Sequence, residues 1–427
     1  MENVIRRESL IAKSKVREVF TPYSPVKSCD LLSGREGEII SLLSSINTPG
    51  QHALIYGDRG IGKSSVANIV GELVQNSLGY SVYTKKCSSG DSFKDIVSEI
   101  LGSQGYNTNC TESIAEHNES KGAKAGLAVF SGNLKSIRKT IEKIDISENY
   151  LSPSWVAKEL KDSKSLLIID EADVIKCEDS KLKLAEFIKH LSDYESKLKV
   201  LIVGISETGR DLVSNHKSVE RCINEIFLAP INILELKNIV EKGEKALNLN
   251  FDGEVVEDIV DISGGYPHFI HLIALKCAEE VIASGRKNID SSILNMALEI
   301  AVDSSDGGLR RAYEYAIRKN TNKSKIILLG AALCHPKGFL VSELYEMITE
   351  VITKDISRGV VSATLSKWVN DEHVDIFIRV ERGHYRFSDP RLMSFIKMVN
   401  GFSYDQCSVV ADILKSEYSK RYLENEV

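Results

Sequence analysis

The sequence lacks the cysteine spacing of a zinc site or of a redox pair. Its eight cysteines are scattered, with no CxxC pair and no cluster of cysteine and histidine at metal-ligand spacing. A structural zinc is therefore not expected. Scattered thiols are typical of proteins that work in a reducing compartment.

Long hydrophobic segments are also missing. The first 15 residues contain no apolar core of the kind that a secretory signal needs. The longest apolar run, from Ile326 to Cys334, is about half of the roughly 20 residues that a membrane span requires. We therefore expect a cytoplasmic protein with no membrane partner.

The chain has no strong excess of either charge, no internal repeat and no low-complexity tract. Its formal net charge is −6 over 427 residues, so any affinity for nucleic acid must come from a local basic face. With 43% hydrophobic and 27% charged residues, the composition is that of a globular protein and excludes wholesale disorder. At roughly 150 residues per domain, the length predicts two or three domains.

The first large region, residues 31–230, alternates short β-branched apolar runs with amphipathic helical patterns. This alternation predicts an α/β fold with a buried, parallel, five-stranded sheet. The five candidate strands are ALIYG at 53–57, SVYTKKC at 81–87, SLLIID at 165–170, VLIVGI at 200–205 and INEIFLA at 223–229.

Two smaller regions follow. Residues 231–303 show only helical patterns and are predicted to form a helical lid. Residues 323–400 show three helical patterns and then two alternating runs separated by Arg382-Gly383, which is the order of a winged helix-turn-helix. The remaining predicted parts are an N-terminal extension at 1–30, a linker helix at 304–322 and a C-terminal amphipathic helix at 401–427.

A phosphate-binding loop is predicted at residues 57–64. The sequence GDRGIGKS fits GxxxxGK[ST] and lies between an apolar strand and an amphipathic helix. Its glycines let backbone N–H groups surround a phosphate, Lys63 supplies a charge for the β and γ phosphates, and Ser64 is a candidate Mg²⁺ ligand. The predicted nucleotide contacts here are Gly57, Asp58, Arg59, Gly60, Ile61, Gly62, Lys63, Ser64 and Ser65.

An acidic pair follows the third candidate strand. Leu166 to Ile169 lead directly into Asp170 and Glu171. Ligands of open α/β sheets bind at the carboxyl ends of the strands, where both side chains are expected. In nucleotide hydrolases, a carboxylate at the first position holds Mg²⁺ through water and one at the second polarises the attacking water.

Further motifs resemble those of the AAA+ ATPases. Gly34-Arg35-Glu36 precedes the first strand, the acidic motif reads DEAD, the next strand ends in VGISET, and Glu220-Arg221 precedes a strand that is followed by LAPIN. The resemblance covers roughly residues 15 to 300 and is strongest to the origin-recognition and replication-initiator branch, close to the STAND class of signalling NTPases. A winged helix often follows the ATPase core in that branch.

The resemblance implies further roles. Ser206 is at the sensor-1 position, where the family usually has asparagine, and His268 is near the sensor-2 position, where many members have arginine; both departures suggest slow turnover. Arg221 matches the arginine finger, which acts on the neighbouring subunit's γ-phosphate. The remaining nucleotide contacts implied in this way are Gly34 and Arg35 against the adenine, and Pro267 beside His268 where the lid meets the nucleotide.

Two parts of the sequence leave their partner open. About 75 residues separate the second strand from the Asp170 strand, more than a minimal connection needs. Their basic stretch from Leu127 to Lys143 is either a projecting hairpin for DNA or a protein, or a solvated insertion. The predicted winged helix carries only 11 Lys and Arg against 9 Asp and Glu. A basic face for DNA would combine the basic residues of the wing and of the linker helix: Arg310, Arg311, Arg318, Lys319, Arg379, Arg382, Arg386 and Arg391.

The predicted function is that of an ATPase that binds ATP and Mg²⁺. It hydrolyses ATP slowly as a conformational and oligomerisation switch, assembles head to tail with copies of itself, and contacts double-stranded DNA through its winged helix. The alternative is a STAND-like regulatory NTPase of a defence or transposition system, whose winged helix binds a separate effector protein. A third hypothesis is an ATP-binding scaffold with negligible turnover.

Overall fold

The computed structural model describes residues 14–26, 28, 30–107, 144–145, 151–205, 217–318, 321–352, 356–371, 373 and 375–400. The chain divides into two compact units. The sheet unit comprises residues 36–57 and 66–228, and the second unit comprises residues 1–35, 58–65 and 229–427. The predicted features at 127–143 and 401–427 lie outside the described residues, as does Ser206.

The sheet unit contains five parallel strands in the order β2-β3-β4-β1-β5. Strand β3, which leads into Asp170 and Glu171, and its neighbour β4 are buried along almost their whole length. Such burial is expected for inner strands of a parallel sheet that is covered on both faces. The predicted α/β fold class with its five-stranded parallel sheet is confirmed. The strands are β1 (His52–Tyr56), β2 (Ser81–Lys86), β3 (Ser165–Asp170), β4 (Lys199–Gly204) and β5 (Ile223–Phe227).

Helices connect the strands, and local sequence sets several of their starts. Ser92 and Asp95 form a capping box, and Ser152 caps a helix that begins with Pro153, so that backbone N–H groups of the first turn are satisfied. The rings of Phe93 and Phe187 pack edge to face in the core. The helices are α1 (Glu36–Asn47), α2 (Lys63–Leu78), α3 (Phe93–Ser103), α4 (Pro153–Leu160), α5 (Glu178–Asp193) and the short α6 (Lys217–Glu220); α2 belongs to this unit from Val66 onward.

The second unit contains a helical region that follows the sheet in sequence. Its helices are α7 (Ile233–Leu247), α8 (Gly253–Ser263), α9 (Pro267–Ala283) and α10 (Ser291–Ser304). Part of the predicted N-terminal extension packs on it, because the ring of Phe20 fills the place where Gly243 has no side chain and meets the ring of Phe251. The four helices follow the helical patterns of residues 231–303. The prediction of helices alone is incomplete, because Asn250–Phe251 and Asn288–Ile289 form a short parallel pair of strands between them.

The C-terminal module, α11 to α15 with three short strands, belongs to the same unit. Its antiparallel sheet has the order β6-β8-β7, and the β7–β8 turn is Arg382-Gly383, as the alternating pattern predicted. The sequence did not predict β6 or α15. The elements are α11 (Gly307–Ile317), α12 (Thr321–Leu333), β6 (Phe339–Leu340), α13 (Val341–Met347), which continues as a π-helical turn to Ile352, α14 (Arg358–Asn370), β7 (Phe377–Glu381), β8 (His384–Phe387) and α15 (Arg391–Val399).

In the part of the chain that the structure describes, none of these helices has both the length and the apolar content to cross a bilayer.

Candidate nucleotide-binding site

The predicted phosphate loop joins β1 to α2. Gly57, Gly60 and Gly62 have φ values of 151°, 79° and 100°, in a region that side chains rarely adopt. A Cβ atom at Gly62 would meet no atom of the described residues within 4 Å. The loop therefore has the backbone shape and the open space that close approach of a phosphate to peptide N–H groups requires.

Hydrogen bonds hold the loop in place within the second unit. The Lys63 ammonium donates to the Asp58 carbonyl oxygen at 2.8 Å, and the Val26 N–H donates to Ser65 Oγ at 3.1 Å. The hydroxyl of Tyr266, at the start of α9, donates to Asp58 Oδ2 at 3.0 Å. Burial and the Asp58 carboxylate raise the Tyr266 pKa, so this hydroxyl remains a donor at neutral pH. Tyr266 thus ties the loop to the helical region.

Arg35 makes a second tie to the loop. Its buried guanidinium donates from Nη2 to the Ile61 carbonyl at 3.3 Å and to the Ala229 carbonyl at 2.6 Å. The neighbouring Gly34 has φ 61°, and a Cβ atom there would lie 2.2 Å from a carboxylate oxygen of Glu235. These contacts explain why glycine and arginine stand at these positions, while their contact with adenine stays a prediction.

His268 lies beside the loop in a neutral state. Its Nδ1 is 2.9 Å from the carbonyl oxygen of Pro22, and because a carbonyl only accepts, Nδ1 carries the proton. Burial lowers the His268 pKa, which leaves Nε2 unprotonated. In this state the ring has no N–H left for a phosphate oxygen. Pro267 forms the first turn of α9 and gives that helix a preformed start.

Arg391 also lies beside the loop. The place of the missing Gly60 Cβ is 3.3 Å from Arg391 Cδ and 3.5 Å from His268 Cβ. The prediction that Arg391 belongs to an exposed basic face is wrong, because the residue is only 7% exposed. Its position depends on packing between segments more than 300 residues apart in the chain, and no local motif signals it.

The predicted acidic pair ends β3 in the sheet unit. Glu171 N donates to Asp170 Oδ1 at 2.9 Å, and Glu171 itself has φ 56°, which turns the chain sharply out of the strand. Lys86 lies opposite Asp170 in the register of the neighbouring strand β2, and its Nζ is 3.2 Å from Glu171 Oε1. No motif in the sequence signals Lys86, because only the strand register brings it to the pair.

Arg221 and the end of strand β4 belong to the sheet unit. Ile205 follows the last residue of β4 and precedes Ser206. Its N–H donates to Asp173 Oδ1 of the DEAD motif at 3.2 Å, and this hydrogen bond fixes the end of β4 to that motif. Arg221 follows α6, and its side chain is 72% exposed with Nη2 at 3.8 Å from Asp193 Oδ1. An arginine this exposed is accessible to a neighbouring molecule.

Comparison with known proteins gives one family match. Residues 46–210 match the model of a family described as AAA domain. The matched stretch includes the phosphate loop and the Asp170-Glu171 pair, so this part of the chain is similar to P-loop NTPases of the AAA type. No curated protein matches the chain.

Several solved structures resemble the chain at low identity. The Aeropyrum pernix ORC1 protein in complex with DNA is 17% identical, with 90% of this chain and 96% of that chain covered and a TM-score of 0.46. The Aeropyrum pernix ORC2 protein, in ADPNP and ADP complexes, is 14% identical, with coverage of 94% and 98% and a TM-score of 0.49. Cdc6p from Pyrobaculum aerophilum is 15% identical, with coverage of 90% and 98% and a TM-score of 0.48.

Proposed function

We propose that this protein is a cytoplasmic ATPase of the AAA+ type that hydrolyses ATP slowly, as a conformational and oligomerisation switch. The observation that carries the proposal is the loop from Gly57 to Ser64. It follows a buried parallel strand, opens a 16-residue helix, and has three glycines in conformations that favour glycine. The match of residues 46–210 to an AAA domain supports the same conclusion.

The residues present fit ATP with Mg²⁺. Ser64 offers a hydroxyl and Asp170 a carboxylate, which are the hard oxygen ligands that Mg²⁺ prefers when phosphate and water oxygens complete its shell. In the described residues, no group of three or more His, Cys, Asp and Glu is arranged to hold a metal by itself. When bound, Mg²⁺ neutralises charge on the β and γ phosphates.

The chain's own residues divide the remaining work. Lys63 places an ammonium at the loop for the β and γ phosphates, and Glu171 orients and polarises the attacking water. Arg221 acts in trans on a neighbouring copy, which its exposure permits. Ser206 is assigned to water positioning, and Gly34, Arg35, Pro267 and His268 to the wall around the nucleotide.

Calorimetric titration with ATP and Mg²⁺ tests the proposal. Lys63→Ala is expected to weaken ATP binding at least tenfold, because it removes the loop's ammonium. Glu171→Gln is expected to keep the affinity and to lower turnover by about 10²-fold or more, as loss of a positioned base does. Lys237→Ala, which removes a half-buried lysine paired with Glu257, is the matched control. Equal affinity in Lys63→Ala and the control would contradict the proposal.

We further propose that the C-terminal module is a winged helix that contacts double-stranded DNA. Exposed basic side chains on α14 and on the β7–β8 hairpin support this: Arg358, Lys367, Arg379 and Arg382. The face is smaller than the sequence suggested, because Arg391 is buried and Arg310 donates to the Val302 carbonyl.

One observation favours the alternative, a STAND-like regulatory NTPase with a separate effector protein. Strand β7 is the edge of its sheet, and its side chains Ile378 and Val380 are 40% and 51% exposed on either side of Arg379. Apolar side chains on an open strand edge suit a protein better than a phosphate backbone.

A further inference from the structure

Arg391 extends from the C-terminal module onto the phosphate loop. It is the first residue of α15, and the carbon Cδ of its side chain packs within van der Waals distance of the place that a Gly60 side chain would take. Both residues belong to the second unit. Any side chain at position 60 would meet Arg391 on one side and His268 on the other, so the glycine permits this approach.

Two carboxylates hold the Arg391 guanidinium. Asp389 accepts from Nη2 at 2.6 Å and from Nε at 3.0 Å, in the two-point geometry that fixes the plane of an arginine. Asp306 accepts from Nη1 at 3.3 Å through a single oxygen, Oδ2. The contact to Asp389 is thus short and doubled, whereas the contact to Asp306 is long and single.

The guanidinium remains charged although its side chain is only 8% exposed. Burial by itself would lower the Arg391 pKa, but the Asp389 and Asp306 carboxylates outweigh it and raise the pKa. Three of the five N–H groups are used in these contacts, and among the described residues the other two have no acceptor. A buried cation with unused donors beside a phosphate loop is an anion-binding group.

Asp306 also has a second task. Its Oδ1 accepts from the Gly308 N–H at 2.8 Å and caps α11, and this hydrogen bond, together with the charges of Arg391 and of Arg59 in the loop, lowers the Asp306 pKa. The carboxylate therefore lies in the field of two cations that a nucleotide phosphate would also attract.

We propose that Arg391 is a phosphate-binding residue for the nucleotide at the loop, and that it exchanges its single contact with Asp306 for a phosphate oxygen while Asp389 keeps the guanidinium oriented. The inference rests on the proposed function, because it needs a nucleotide at that loop. Arginine suits the exchange, since its planar donors match carboxylate and phosphate oxygens equally. The consequence is that nucleotide binding acts on α15 and α11, and so on the C-terminal module.

The test is a double-mutant cycle, with ATP·Mg²⁺ affinity measured by calorimetry. Asp306→Asn keeps the cap, because asparagine caps helices as well as aspartate does, and it removes the competing charge. We expect it to bind ATP three- to tenfold more tightly than the parent. Arg391→Gln is expected to bind at least tenfold more weakly. In the Arg391→Gln background, Asp306→Asn is expected to give no gain.

Asp303→Asn is the matched control, since it removes a neighbouring, exposed carboxylate that pairs with Arg310 instead. A gain of equal size in Asp303→Asn, or a gain from Asp306→Asn that persists without Arg391, would show a general charge effect and overturn the inference. If Arg391→Gln fails to fold, the Asp306→Asn variant by itself still tests the inference, because an unchanged ATP affinity in that variant would overturn it.

A structural readout completes the experiment. Hydrogen exchange across residues 391–399 is expected to slow when ATP binds to the parent, and not in Arg391→Gln. If the parent binds ATP and Lys63→Ala does not, while the Arg391 and Asp306 variants match the parent, only this inference falls. If the parent binds no ATP, the proposed function falls with it.

Discussion

Glu171 is held by the strand next to its own. Its carboxylate is 3.2 Å from the Lys86 ammonium, and the exposed fractions of the two side chains are 49% and 70%. A carboxylate that is to polarise water must leave such a partner, at least in part. Exposed ion pairs contribute about 0.2–1 kcal/mol, so breaking the contact between Glu171 and Lys86 costs little free energy. We therefore expect Lys86 to slow hydrolysis without preventing it.

Lys86→Met is therefore expected to raise the rate of ATP turnover about two- to fivefold, because a barrier lower by up to about 1 kcal/mol corresponds to a factor of that size. Steady-state phosphate release measures it. Lys85→Met, on the same strand but paired with Asp91, is the control and is expected to leave the rate unchanged. A slower Lys86→Met enzyme would mean that the lysine assists catalysis.

Among single residues, the sequence predicted motifs that are contiguous in the chain and missed contacts between residues that are distant in the chain. The loop from Gly57 to Ser64 and the pair Asp170-Glu171 each follow one buried strand, so a motif and its context suffice to find them. Lys86 reaches Glu171 only through the register of β2 with β3. Arg391 reaches Gly60 only through packing of distant helices. A local sequence pattern predicts neither of these two long-range contacts.

Among the elements, the turn between α8 and α9 has little room for a side chain. Gly264 and Gly265 have φ values of 58° and 91°, and the Gly265 carbonyl accepts from the Ile231 N–H at 2.9 Å. A Cβ atom at Gly265 would lie 2.6 Å from Pro230 Cβ. The turn sets where α9 begins, and with it Tyr266 and His268 beside the loop.

Gly265→Ala is expected to destabilise the protein by about 2–4 kcal/mol, since strain at positive φ costs about 1–3 kcal/mol and the clash with Pro230 adds to it. Urea unfolding measures the change. Gly285→Ala is the control, because Gly285 has φ 71° but open space around its missing side chain. If both variants lose the same free energy of unfolding, Pro230 moves aside at no cost and the clash does not contribute.

The pattern of hydrophobic residues predicted most elements correctly, including the five parallel strands and the hairpin that turns at Arg382-Gly383. It missed β6, which has only two residues, and α15, whose buried face includes Ser394 and Lys397. Their side chains donate to the carbonyls of Ser263 and Asp261 on α8. These polar residues interrupt the apolar face of α15, although Leu392, Phe395 and Ile396 still recur at helical spacing, so a longer reading of the pattern past the hairpin would have found this helix.

For the whole molecule, the exposed Arg221 and the exposed basic side chains of α14 and of the β7–β8 hairpin bear on assembly. If the molecule assembles head to tail on DNA, its mass in light scattering is expected to rise to a defined oligomer only with an ATP analogue and a duplex of about 40 base pairs together. Arg221→Ala is expected to stay monomeric under those conditions, because Arg221 would complete the neighbour's site. Arg286→Ala, which removes an exposed arginine paired with Asp290, is expected to assemble normally.

Salt dependence identifies the partner in the same experiment. If the four basic side chains of α14 and of the β7–β8 hairpin contact phosphates, duplex affinity is expected to fall roughly 10²-fold between 50 and 200 mM salt, because each contact releases a counterion. Arg382→Ala should weaken binding and flatten that slope by about one contact. A monomer in every condition, with ATP still bound, would reject assembly on DNA. The exposed edge of β7 would then be the surface to probe, since Ile378 and Val380 suit a protein partner whose binding tolerates salt.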